Sequence, residues 1–100
     1  QDREYFRAIL EGVIYHQPEI DAAFSQYLDR DIAELTPVEL ALLRQGVFEL
    51  KDRLDVPYKV VISEAVALAR KFGATDGHKY INGVLDRAAS TLRQAEVGAR

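Results

Sequence analysis

Thr36-Pro37-Val38-Glu39-Leu40-Ala41-Leu42-Leu43-Arg44-Gln45-Gly46-Val47-Phe48-Glu49-Leu50 reads as a helix whose start is written into it. Thr36 offers a side-chain oxygen to the open amides of the first turn. Pro37 suits the first helical position because it has no N–H to leave unpaired, and Glu39 completes a capping box by reaching back to the cap. Leu40, Leu43, Val47 and Leu50 then recur at three- and four-residue spacing and line one face. Gly46 interrupts that helix. Glycine costs about 1 kcal/mol against alanine in a helix interior, so its presence predicts a close approach by a neighbour.

Upstream, residues 2–15 place Tyr5, Phe6, Ile9, Leu10, Val13 and Ile14 at helical spacing. Pro18 opens a second helix carrying Ile20, Ala23, Phe24, Tyr27 and Leu28, which runs into the charged stretch Asp29-Arg30-Asp31. Downstream, residues 52–56 form a loop before Pro57 and a fourth helix with the stripe Val61, Ala65, Leu68 and Phe72. Gly73 suits the end of that helix, and Thr75 or Asp76 can cap a fifth. The fifth stripe is Ile81, Val84, Leu85, Ala88 and Leu92. Residues 94–100 show no period and are expected to fray. The expectation is an all-α, compact bundle of about five helices forming a single domain over residues 1–100. The first helix is apolar over a broad face, which four following helices leave partly uncovered.

The chain has 100 residues, a net charge of −3, and neither cysteine nor methionine. A disulfide framework and a thiolate metal site are excluded, which fits a reducing, cytoplasmic setting. No apolar run approaches membrane-spanning length. A chain that begins at Gln1 without methionine is expected to be processed or part of something longer. Residues 1–50 hold four basic and ten acidic residues, whereas residues 51–100 hold nine basic and six acidic. That asymmetry fits two surfaces with different partners; ordinary solvated helix faces would also produce it.

Catalytic patterns are absent. His16 and His78 lack companions at ligand spacing, the serines sit in no nucleophile elbow, and no glycine loop has phosphate-cradling spacing. The fifth helix carries the chemistry that remains. Tyr80 falls at the edge of its core stripe, with Gly83 and Arg87 three and seven residues on along the same flank. An exposed aromatic ring stacks a base, a guanidinium reaches a phosphate or a second base face, and Lys71 and Lys79 add charge beside the helix N-terminus. Together they suit a single-stranded RNA backbone with one base splayed out. Packing explains the same residues as well: Tyr80 as a boundary core residue, Gly83 as a close-approach site, Arg87 paired with a carboxylate. Asp76 is a cap first, and Asn82 lies on the polar side.

Residues 72–89, Phe-Gly-Ala-Thr-Asp-Gly-His-Lys-Tyr-Ile-Asn-Gly-Val-Leu-Asp-Arg-Ala-Ala, closely resemble the closing segment of the NusB family of transcription antitermination factors. Two upstream stretches are similar to the same family in the same order. One is Leu35-Thr36-Pro37-Val38-Glu39, continuing to Leu43-Arg44 and Phe48-Glu49-Leu50. The other is Asp55-Val56-Pro57-Tyr58-Lys59-Val60-Val61-Ile62-Ser63-Glu64-Ala65. The resemblance is strong over residues 35–89 and looser before. It implies an all-helical fold and a bacterial, cytoplasmic RNA- and protein-binding adaptor that performs no chemistry and needs no cofactor. The implied partners are boxA, a short single-stranded element of ribosomal RNA leaders, and NusE, a small-subunit ribosomal protein. Other Nus factors and RNA polymerase join in the assembled complex.

Carried over by residue, the resemblance puts the RNA-stacking aromatic on Tyr80. It places Asp76 at the RNA site and Glu39 in the protein-partner region; Lys79, Gly83 and Arg87 are assigned to the RNA site with the Tyr80 flank, and Glu34 to the partner site beside Glu39. The acidic half of the chain suits a basic ribosomal partner. Gly77 stands where serine is common and Ser63 where asparagine is common. Family members also begin with two more helices and an arginine-rich segment, to which nothing here corresponds. The chain is therefore read as N-terminally truncated, with weakened RNA affinity and a flatter salt dependence. The face around Phe6, Ile9 and Val13 is then expected to lie open and to invite homo-oligomers. An alternative is the NusB-like domain of an RNA cytosine methyltransferase, which shares Asn82-Gly83-Val84-Leu85 but typically lacks the 76–79 stretch.

Overall fold

The helix with the written start is the one around which the chain packs. In the computed structural model, which describes residues 2–72 and 77–98, α1 (Asp2–Tyr15) and α2 (Gln17–Ser25) precede a single 3-10 turn at Ile32–Glu34. Then come α3 (Pro37–Asp52), α4 (Tyr58–Phe72), α5 (Gly77–Leu92) and a short α6 (Gln94–Gly98). Among the described residues there is no strand. The side chains of Asp2 and Phe6 lie outside the description, as do the helix end expected at Gly73 and the cap expected at Thr75 or Asp76.

α3 forms where its capping box predicts. The Glu39 amide donates to Thr36 Oγ1 at 3.1 Å, and the Thr36 amide donates to Glu39 Oε1 at 2.9 Å. α3 packs against α1, α2, α4 and α5. Gly46 is the close approach its cost implied: a Cβ there would lie 2.9 Å from both methyls of Leu85. Phe24, Ile20, Leu43, Leu50, Ile81, Leu85, Val47 and Val84 are fully buried where the helices meet. Each such side chain stabilises by about 1.5–3 kcal/mol relative to exposure. Arg44 fixes α2 on α3 with a two-pronged pair, Nε and Nη2 each 2.9 Å from an Asp21 carboxylate oxygen.

α1 crosses α3 where Gly12 meets Phe48, so closely that a Cβ would overlap the ring. A polar tie lies one end along. The Tyr5 hydroxyl donates to Glu49 Oε2 at 2.6 Å, and the Arg53 guanidinium covers the Tyr5 ring at 4.8 Å. Burial pushes the Glu49 carboxyl up, and burial together with Glu49 pushes Tyr5 up to about 12.

Three expectations need correction. The open apolar face of α1 is not centred on Ile9 and Val13. Ile9 is buried and Val13 is partly covered, while Leu10, Ile14 and Tyr15 are exposed and the Phe6 side chain lies outside the description. α3 takes up the inner half of a broad apolar surface and leaves the outer half. On α4 the buried stripe is Tyr58, Val61, Ile62, Ala65 and Ala69, with Leu68 and Phe72 exposed. Alanine at 69 lets α4 lie close to its neighbours, turning the larger residues outward. Finally, residues 94–98 do not fray. Arg93 is 5% exposed and donates to the carbonyls of Leu50, Glu49 and Arg53. Glu96 accepts from Arg93 and from the Tyr58 amide, and Val97 packs on the core. A buried cation at the end of α3 holds that final turn, a bond no periodicity can reveal. Residues 99–100 lie outside the description.

Candidate nucleic-acid interface

The buried residues of α5 are Gly77, Ile81, Val84, Leu85, Ala88 and Ala89. At 100° per residue they fix the flank on which the functional side chains stand. Tyr80 falls at the edge of the stripe, half-buried, packed on the core along one side. Its hydroxyl is buried without a hydrogen bond of good geometry, although the Asp29 carboxylate is within electrostatic reach. Burial first, and Asp29 second, raise the Tyr80 hydroxyl above its ordinary value.

The ring of Tyr80 meets a residue from the other end of the sequence. The Arg30 guanidinium carbon lies 4.1 Å from the ring centroid. Arg30 stands on the connection between α2 and the 3-10 turn, where its Nε is paired with Asp29 Oδ1 at 3.2 Å. That contact holds the Asp29 carboxyl below the usual carboxylate range and raises Arg30.

Gly83 and Arg87 share the flank with Tyr80, as their spacing predicts. Arg87 pairs with no carboxylate in a described ion pair; its Nη2 donates to the Tyr27 carbonyl at 2.9 Å. The same guanidinium passes over Gly83, where a Cβ would lie 3.5 Å from Arg87 Nη1. The arginine thus runs past Gly83 at ordinary contact distance to a carbonyl two residues beyond α2. Lys79 is exposed beside them. Asp76 lies outside the described residues.

The acidic pair divides between two environments. Glu34 is exposed at the end of the 3-10 turn. Glu39 spends Oε1 on the capping box, while its Oε2 would lie 3.7 Å from a Cβ on Gly77, beside the start of α5. Glu39 also acts electrostatically on Arg30. One end of the bundle therefore brings together Arg30, Glu39, Gly77 and Tyr80, from segments up to fifty residues apart.

Arg30 and Asp29 were legible in the sequence as a charged helix end and Tyr27 as part of an apolar face that in the structure runs beyond α2, and no more. Their place beside α5 arises from tertiary packing of α2 on the bundle. Asn82 falls elsewhere: it opens on a shallow cleft of about 480 Å³ between α4 and α5, with Lys59, Ser63, Arg70 and Asp86 around it. Among the described residues, no cluster of three or more histidines and carboxylates could hold a metal ion. No described helix is long and apolar enough to cross a membrane.

Comparison with known proteins follows the same residues. The NusB family model matches residues 1–90, reaching beyond the stretch whose motifs carry the resemblance. The chain is 54% identical over 98 residues to the transcription antitermination protein NusB of Hahella chejuensis, covering 98% of this chain and 66% of that protein. It is 57% identical over 98 residues to the protein of the same name from Pseudomonas fluorescens, covering 98% of this chain and 59% of the relative. With the NusB protein of a Marinomonas species it shares 50% identity over 99 residues, 99% of this chain and 57% of the relative. The chain thus spans between 57% and 66% of the length of these relatives.

Proposed function

The chain belongs to the NusB family, and on that premise we propose that it acts as an RNA- and protein-binding adaptor in bacterial transcription antitermination. It binds boxA single-stranded RNA together with NusE, joins other Nus factors and RNA polymerase in the assembled complex, works in the cytoplasm and catalyses no reaction. The observation that carries the reading is the Tyr80 flank. An aromatic ring at the edge of α5 has Arg30, from the distant connection after α2, over its face, and shares its flank with Arg87 of the same helix. Rings of this kind stack unpaired bases, and arginines beside them take the phosphates. The names of the relatives supply the process.

Tyr80 holds the splayed base, Lys79 and Arg87 face the backbone, and Gly83 keeps the flank low enough for a strand to pass. Asp76 belongs to the same site by family position. Glu34 and the free oxygen of Glu39 form the acidic side that receives basic NusE, next to the RNA rather than across the bundle from it. The outer face of α1, with Leu10, Ile14 and Tyr15 exposed, is a surface for self-association.

The test measures binding of boxA RNA in the presence of NusE at several salt concentrations. Tyr80→Ala is expected to cost about 1–3 kcal/mol, while leaving the salt slope unchanged, because a ring carries no charge. Tyr80→Phe is expected to bind as the unmutated chain does. Equal affinity for Tyr80→Ala at every salt concentration would remove the stacking role.

A further inference from the structure

A base that stacks on Tyr80 must find the ring free, and in this structure it is not. Tyr80 rests one side on the core, and the Arg30 guanidinium lies over the ring at 4.1 Å from its centroid. That is the separation of a direct cation–π contact. Two planar groups cannot occupy one face of one ring. A guanidinium and a base therefore compete for it.

The two arginines of the site are held very differently. Arg87 is anchored by the Tyr27 carbonyl and laid along Gly83. Arg30 is tied only to its sequence neighbour Asp29 among the bonds described, and both partners reach solvent, with 40% and 72% side-chain exposure. Exposed pairs of that kind contribute little and give way readily. Arg30 also stands on an irregular connection rather than within a helix. It can leave the ring without disturbing the core.

We infer that Arg30 is an exchangeable gate on the RNA site, covering the Tyr80 ring in the free protein and passing its charge to the RNA backbone when a base takes the ring. This inference rests on the reading that Tyr80 stacks a base. Lys79 and Arg87 on the same flank make a cationic rim beside the ring, along which the displaced guanidinium meets a phosphate. The gate gives selectivity at no cost in charge. A phosphate-rich strand without an unpaired base leaves Arg30 on the ring, and only a strand that offers both a base and a phosphate satisfies both groups.

The two halves of the exchange respond differently to salt, and that makes the inference testable. A phosphate contact on a single strand contributes about −0.7 to the slope of log affinity against log salt. Cover on the ring is a close contact and is screened far less. Arg30→Ala removes both at once. In the presence of NusE, its affinity for boxA RNA is expected to be about threefold weaker at low salt, with a slope shallower by about 0.7. At high salt, where the phosphate contact is screened, the bare ring is expected to make the variant about twofold tighter than the unmutated chain. The two lines therefore cross. Arg30→Lys, which keeps the charge without the planar cover, is expected to retain the full slope.

Parallel lines for Arg30→Ala and the unmutated chain would overturn the phosphate half, and a shallower line that never crosses would overturn the gate. The Tyr80→Ala background separates these failures from that of the underlying reading. There Arg30→Ala is expected to flatten the slope without any crossing. If Tyr80→Ala alone leaves affinity unchanged, the stacking reading fails and the gate fails with it. Circular dichroism of each variant checks that the helices persist.

Discussion

Arg93 donates from Nε to the Leu50 carbonyl at 2.6 Å, across 43 residues of sequence. Its Nη2 reaches the Glu49 and Arg53 carbonyls as well, so one guanidinium ties together three carbonyls at the end of α3. A positive charge at a helix C-terminus is favourable, and here it is buried. Arg93→Met is expected to strip the Leu50 carbonyl of its arginine donor, while Glu49 and Arg53 keep the amides of Arg53 and Val56, and to cost about 2 kcal/mol, read from urea unfolding. Arg93→Lys is expected to recover less than half, since an ammonium cannot reproduce the planar fork. A loss below about 1 kcal/mol would mean that water replaces the guanidinium.

Gly12 is expected to be irreplaceable by alanine despite lying in a helix. Alanine would gain about 1 kcal/mol of helix propensity. Against that, its Cβ would overlap the Phe48 ring, whose Cε1 would be 2.6 Å away, and overpacking costs about 1–3 kcal/mol. Thermal unfolding should show Gly12→Ala less stable than the unmutated chain. The double variant Gly12→Ala, Phe48→Leu should recover part of the loss. A stabilised single variant would show that α1 shifts freely on α3.

Glu49 makes stability depend on pH in a direction opposite to most carboxylates. Its folded value lies above the ordinary 4.5, chiefly through burial. An acid raised in this way keeps its proton longer when folded, so its contribution is full below that ordinary value and is lost as pH rises through the folded value. Glu49→Gln still accepts from the Tyr5 hydroxyl and carries no such dependence. The stability of Glu49→Gln relative to the unmutated chain is expected to grow as pH rises through that window. A difference that stays constant with pH would show that Glu49 does not titrate there.

Tyr5 provides a spectroscopic counterpart. Burial and the Glu49 carboxylate move its hydroxyl up to about 12, so its stability contribution is present below 10 and is lost as pH rises towards 12. Phenolate absorbance of the unmutated chain should contain a late step that Tyr5→Phe lacks. A late step that survives in Tyr5→Phe would belong to another tyrosine.

The exposed side of α1 is expected to drive association. Ile14 is 65% exposed and Tyr15 82%, with Leu10 beside them. Light scattering across a range of concentrations should show a rising mass for the unmutated chain and a constant one for Ile14→Lys. Unfolding should differ little between the two, since the side chain packs on almost nothing. Concentration-independent mass in both would rule out this surface as a contact between copies.

What the sequence made legible was what depends on neighbours along the chain. The Thr36–Glu39 box, the Gly46 contact and the α5 stripe from Ile81 to Ala88 follow from local spacing and stand where that spacing puts them, whereas Leu92 is only partly covered and Ala89 is buried instead. The edge position of Tyr80 and the shared flank of Gly83 and Arg87 follow from the same helical angle. Arg30 over Tyr80 did not, because the two are fifty residues apart and nothing in Asp29-Arg30-Asp31 names a partner. The roles of Arg93 and Glu96 were hidden for the same reason. Leu68 and Phe72 misled by size: the smaller Ala69 allowed the closer packing, so it took the inner position.

Tyr5 and Arg93 both bind at Glu49, one to its carboxylate and one to its carbonyl, each across 44 residues. Loops of that length close slowly, because entropy must be lost before the contact is made. The last turn of α3 is then the place where the two ends of the chain meet last. Its amides should gain their full hydrogen-exchange protection in the final folding step, after α3, α4 and α5 have already found their places.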